Sequence, residues 1–243
     1  QEEGDPLHIE TAKRYGCNLY LPRLSGHGLV EDEPLLTITA DKLVNSAEEA
    51  IAVGKQIGEK VILMTTSTGG TLALYLAAGD PDIGGMLLYS PNIEIFDANA
   101  KLLTKPWGVQ MAKLVKGGDY HEFENPTEAD RKYWTSKYRV EALAQLQVLM
   151  DETMTEETFQ SVRQPVFLGY YYKDEIHQDS TVSVSAMLRM FDQLSTPNDQ
   201  KRKVAFPNVG AHVMTSYITS KDLESVKRET NSFMEEVLGL KPL

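Results

Sequence analysis

The sequence predicts an α/β protein: a mostly parallel, doubly wound sheet carrying one helical insertion. Three observations predict it. Short apolar runs alternate with helical patterns along most of the chain. Runs such as Val61-Ile62-Leu63-Met64 and Met86-Leu87-Leu88-Tyr89 do not alternate apolar with polar residues, as expected of strands covered on both faces. Residues 91–164 form one interval far longer than a single crossover helix requires.

Each element has its local reason. Strands are expected at Cys17–Pro22, Lys60–Thr66, Gly84–Ser90, Pro165–Tyr172 and Lys203–Phe206, where apolar and β-prone residues are bounded by turn formers. Helices are expected at Leu7 to Tyr15, Ala40–Ile57, Gly70–Ala78, Thr181–Gln193 and Lys221–Val237. Cys17 is the one cysteine; it leads an apolar run and reads as a buried strand residue, and no intrachain disulfide can form. In the long interval, Pro106-Trp107 opens a helical stripe of Trp107, Met111, Leu114 and Val115. Further on come Leu143, Leu146 and Met150. These residues are expected to form the core of the insert or to line a cleft. The domain reading is a core of residues 1–90 and 165–243 with a helical cap over 91–164.

Composition narrows the partners. The 243 residues are 42% hydrophobic, enough for a sizeable core. A formal charge of −11 argues against nucleic acid, whose phosphates call for clustered Lys and Arg, and against an anionic membrane as main partner. No apolar stretch approaches the roughly 18 residues of a membrane-spanning helix. The first six residues, Gln-Glu-Glu-Gly-Asp-Pro, have neither the basic start nor the apolar centre of a signal peptide. Localisation stays open. Neither metal-ligand spacing nor a lysine-bearing phosphate loop is present, so no cofactor is expected.

The chemistry concentrates on three turns. A strand ending Met64-Thr65-Thr66 runs into Ser67-Thr68-Gly69-Gly70 and a helical stretch. A serine on so sharp a turn leaves space only for small neighbours, and the helix start offers amide donors and positive dipole to a developing oxyanion. Serine needs a histidine to take its proton and an acid to orient that histidine. Asp174 follows the fourth expected strand, with Glu175 and Asp179 as rival acids and His177 as a rival histidine. His212 follows the last strand in Gly210-Ala211-His212. His8 and His121 read as solvated surface residues.

The turn around Ser67, with the order serine, acid, histidine, resembles the α/β-hydrolase superfamily, and most closely its lid-bearing esterases and monoglyceride-lipase-like members. Thr65 stands where that family usually has glycine. The resemblance implies Ser67 as nucleophile, Asp174 and His212 as its partners, the Thr68 backbone N–H as an oxyanion donor, and residues 91–164 as a lid. It further implies that the family's first three strands, and the loop giving the second oxyanion donor, lie upstream of Gln1. The expected function is carboxylic ester hydrolysis through an acyl-enzyme on a small ester with an apolar acyl or alcohol part. The alternatives are a weakly catalytic binder of an apolar small molecule, or a peptidase or acyltransferase using the same triad.

Overall fold

The computed structural model describes residues 6–123 and 126–243. Its central sheet joins β1 (Val61–Thr66), β2 (Ile83–Tyr89), β5 (Val166–Tyr170) and β6 (Lys201–Ala205) in that order, every pair parallel. Parallel pairing demands crossovers, and helices provide them: α3 (Thr68–Gly79) leads from β1 to β2, and α8 (Val184–Gln193) from β5 to β6.

Helices cover both faces. On one side α1 (Leu7–Tyr15) and α9 (Leu223–Glu236) set Leu7, Tyr15, Val226 and Phe233 against Leu87, Tyr89 and Phe167. On the other, Leu74, Ala77, Met187 and Met190 meet Met86, Leu88, Val166 and Leu168. Successive residues of β2 and β5 thus point into opposite cores, both apolar, which is why their sequences read as unbroken hydrophobic runs. Side-chain caps stop and start the helices as their residue types predict: Thr39 accepts from Lys42 N at α2 (Ala40–Ile57), and Ser183 from Ala186 N at α8.

The expected strand at Cys17–Pro22 is not a strand; these residues run as irregular chain, with Cys17 exposed. A strand needs a neighbour's backbone groups, and among the described residues none pairs with this segment. It is tied instead by the Asn18 side chain, which donates to the Ile57 carbonyl. β1 is correspondingly an edge strand, with Val61 to Met64 only partly covered.

Residues 91–164 divide in two. The latter part, α6 (Val140–Thr153) and α7 (Glu156–Ser161), packs into the main body: Leu149 joins Ala40, Leu43 and Leu72, and Phe159 joins the core of α3 and α8. The part standing apart holds a 3₁₀ turn (Ala98–Leu102), α4 (Gly108–Lys116), α5 (Glu128–Tyr133) and a hairpin of β3 (Tyr120–Glu122) and β4 (Lys137–Arg139) that periodicity did not suggest. Helix α4 begins at Gly108 rather than at Pro106, because Trp107 sits at φ 65°, outside helical space. Trp107, Met111, Leu114 and Val115, expected to lie in a core or cleft, face solvent.

Phe167 lies fully buried between Tyr89 and Phe233, ring centroids 5.8 and 5.6 Å away. Phe167→Ala is expected to cost about 3–5 kcal/mol, read as a lowered urea midpoint. The same change at half-exposed Phe96 should stay within about 0.5 kcal/mol.

Candidate active site

The site is assembled at the C-terminal edge of the sheet, starting from one strained residue. Ser67, between β1 and α3, holds φ 55° and ψ −122°, a backbone region costly for any residue but glycine. Three main-chain hydrogen bonds hold it there: its N–H donates to Tyr89 O (3.1 Å), and its carbonyl accepts from Gly70 N (2.9 Å) and Asn92 N (3.0 Å). Small neighbours make the turn possible. A Cβ on Gly70 would lie 2.5 Å from Pro91 Cβ, and one on Gly69 would lie 3.4 Å from Thr65 Cβ. Threonine at 65 therefore leaves ordinary van der Waals room beside residue 69, whereas Gly70 has none to spare. Thr68 is the first residue of α3, and its N–H stands where helical amides lack an intrahelical acceptor.

The acid facing His212 is Asp179, not Asp174. His212 Nδ1 lies 2.7 Å from Asp179 Oδ2, while Asp174 binds its own loop. Its Oδ1 accepts from the amides of Ile176 (3.0 Å) and His177 (2.8 Å) and lies 2.8 Å from the His177 ring. The physical reason is a turn excursion beyond β5. Tyr172 bridges back to Gln178, and Lys173 N–H donates to His177 O (2.9 Å), so the charged tip of residues 173–177 projects into solvent. The chain then returns, and Asp179 N–H donates to Tyr171 O (3.0 Å), bringing its carboxylate back to the sheet edge. Sequence reasoning took the first acid after the apolar run. The overlooked signal was Asp179-Ser180-Thr181-Val182, whose carboxylate caps the amides of Thr181 (2.9 Å) and Val182 (3.1 Å) just before a helix.

Electrostatics follow from that burial. Asp179 has a fully covered side chain, which by itself would raise its pKa. The hydrogen bond and charge of His212, with the Thr181 amide, outweigh the burial and hold the carboxyl below its ordinary range. The other ring nitrogen of His212, Nε2, is buried and has no partner, and it makes no hydrogen bond to Ser67 Oγ. His212 itself follows β6 on a loop anchored by buried Phe206 and Val209 and by a Lys221 N–H bond to Val209 O (2.9 Å).

The remaining histidines fall into structural roles. His27 Nδ1 lies 3.0 Å from Ser25 O in a turn flanked by Gly26 and Gly28 at positive φ. Neither His8 nor His121 is simply solvated: His8 Nε2 donates to Met64 O (2.9 Å) in β1, and the His121 ring lies tilted against the Tyr138 ring, centroids 5.1 Å apart.

A sharp serine turn before a helix and a carboxylate-bound histidine on the last strand's loop are one recognisable arrangement, and the profile described as "Alpha/beta hydrolase family" matches residues 4–220. The chain belongs to the alpha/beta hydrolase family. Over 86 residues it is 36% identical to a thermostable monoacylglycerol lipase of Bacillus sp. (strain H-257), a match spanning 35% of this chain and about a third (34%) of that relative's length. A structure from work on LipS and LipT, two metagenome-derived lipolytic enzymes, superposes with TM-score 0.72 at 15% identity, covering 96% of this chain and 89% of the other. The monoacylglycerol lipase of Paleococcus ferrophilus superposes with TM-score 0.57 at 15% identity, over 83% and 76%. At such identities these superpositions establish the alpha/beta hydrolase fold.

Two consequences of this geometry are measurable. Gly70→Ala is expected to lower stability by about 1–3 kcal/mol, since Pro91 must give way, whereas Gly69→Ala should cost less. Asp179, with its folded pKa lowered from 3.8, contributes stability fully present above that value and lost as pH falls through the folded pKa. The difference in Tm between the unmodified protein and Asp179→Asn should therefore shrink as pH is lowered through about 3.8.

Proposed function

We propose that the chain carries the catalytic core of a carboxylic ester hydrolase working through Ser67, His212 and Asp179. One observation supports the reading above the others: the buried Nε2 of His212 is unpaired while its Nδ1 is fixed by a buried, ionised carboxylate at the same sheet edge as the strained Ser67. In the proposed reaction Ser67 Oγ attacks the ester carbonyl as His212 Nε2 takes the hydroxyl proton. Asp179 keeps Nδ1 protonated and stabilises the imidazolium. The Thr68 N–H donates to the tetrahedral oxyanion, aided by the positive end of α3. His212 then passes the proton to the departing alcohol, leaving an acyl-enzyme on Ser67 that water hydrolyses by the same steps in reverse. Relatives described as lipases favour an ester with an apolar acyl or alcohol part, and the outlying part of the insert, residues 97–139, as the lid beside it.

A second reading, a weakly catalytic binder of an apolar ligand, draws on the missing hydrogen bond between Ser67 and His212 and on Thr65 in place of glycine. Fluorophosphonate labelling separates the two. Labelling of the intact protein, abolished in Ser67→Ala, is the expected result; a folded protein that stays unlabelled favours the binder.

The choice of acid gives a sharper check. Asp179→Asn should lower kcat on nitrophenyl butyrate by about 10⁴-fold, because Asn favours the wrong imidazole tautomer. Asp174→Asn should leave kcat within about threefold, since that carboxylate is half exposed and bound only to its own turn. The opposite ranking overturns the assignment.

A further inference from the structure

Three strands of the central sheet deliver a side chain to the proposed reaction, and the remaining one delivers a buried hydroxyl. In the order β1-β2-β5-β6, Ser67 follows β1, Asp179 follows β5 and His212 follows β6. Ser90 stands directly after β2, between serine and acid, and is fully buried. The peptide joining Tyr89 to Ser90 links both neighbours. Its carbonyl accepts the Ser67 amide (3.1 Å), and its N–H donates to Gly169 O in β5 (2.8 Å).

Ser90 holds its place under strain. Its φ is 43°, a region that residues with a side chain rarely enter, and the following Pro91 restricts it further. Glycine would make this turn with less strain. What serine adds is one polar atom, and a hydroxyl shut away from water is costly unless a polar group faces it.

The polar group at this place is the Asp179 carboxylate. Its Oδ1 accepts the amides of Thr181 (2.9 Å) and Val182 (3.1 Å), and its Oδ2 lies 2.7 Å from His212 Nδ1. A carboxylate accepts about four donors, so Oδ2 has room for one more. Burial opposes the charge on Asp179, the bond and charge of His212 favour it, and the Ser90 hydroxyl favours it too. Ser90 Oγ is thus near enough to act on the carboxylate, although short of full hydrogen-bond geometry.

We propose that Ser90 is a positioning residue whose hydroxyl donates to the Asp179 carboxylate, so that the orienting acid is held from β2 as well as from its own loop. By drawing on the carboxylate's charge, the hydroxyl also weakens its pull on the imidazolium and leaves His212 easier to deprotonate, as a general base requires. The effect on catalysis rests on the proposed function, whereas the contact with the acid–histidine pair does not.

Two variants separate hydroxyl from backbone. Ser90→Ala removes the hydroxyl and keeps the strain; Ser90→Gly removes both and is expected to fold with Tm within about 3 °C of the unmodified protein. In both, kcat on nitrophenyl butyrate should fall about tenfold, the worth of one hydrogen bond to a charged group, with KM changed less than about twofold. The readout that packing alone would not move is the titration of His212, followed by NMR at its ring C2 proton and assigned with His212→Gln. Its pKa should rise by about half a unit in both variants, because the carboxylate then holds the imidazolium more strongly. Full kcat in Ser90→Gly overturns the proposal, since the backbone alone would then suffice. So does an unmoved His212 titration, whatever happens to kcat. A raised His212 pKa in a protein whose unmodified form hydrolyses no ester would sink the hydrolase reading and leave the contact standing.

Discussion

Everything at this sheet edge depends on how closely α3 can approach the end of β1. Ser67 reaches its half-buried, strained position only because the backbone turns at once from strand to helix. That turn is held from outside by β2: the carbonyl of Tyr89 receives the Ser67 amide, and the Ser67 carbonyl receives that of Asn92. Pro91 closes over Gly70 with no room for a methyl group. The constraint therefore spreads beyond the turn. Residues 89–92 must leave their strand in one conformation, and buried Ser90 adopts φ 43° to do so. Thr65, by contrast, sits at ordinary contact distance from where a side chain on residue 69 would begin.

The histidine and acid obey a different rule, the spacing of parallel strands. With β5 beside β6 and both running the same way, the loops after them emerge side by side, and a residue from one can meet a residue from the other. Which acid meets the histidine depends on where the first loop returns to the sheet. Four residues of excursion separate Asp174, held by its own turn, from Asp179, buried and tied to His212. Burial would neutralise an isolated carboxyl, so the two amides and the imidazole on Asp179 are what keep it an effective orienting charge.

Away from the sheet edge, the outlying insert is held by charge and by one small apolar cluster, in which Tyr138 packs against Leu35, Ile38 and Ala142. Lys113, Asp119, Arg139, Glu141 and Glu33 link α4, the hairpin, α6 and the loop before α2. Surface ion pairs contribute little one at a time, but a network around the largely covered Arg139 fixes geometry even where it adds modest stability. The apolar residues of α4 are thereby free to face outward.

The sequence by itself determined the alternation of strands and helices, the two-sided burial of β2 and β5, the serine turn and the loop that carries His212. These follow from local causes: hydrophobic period, glycine at close approaches, and the punctuation of caps and turns. Tertiary structure decided the rest. Cys17–Pro22 has the composition of a strand, yet a strand exists only when another backbone lies beside it. Asp174 and Asp179 are equivalent by residue type, and only the fold of the loop between them selects one. The stripe of α4 has the period of a buried helix face, but period says that a face is apolar, not which way it points; ion pairs made by Lys113 on the opposite side settled that.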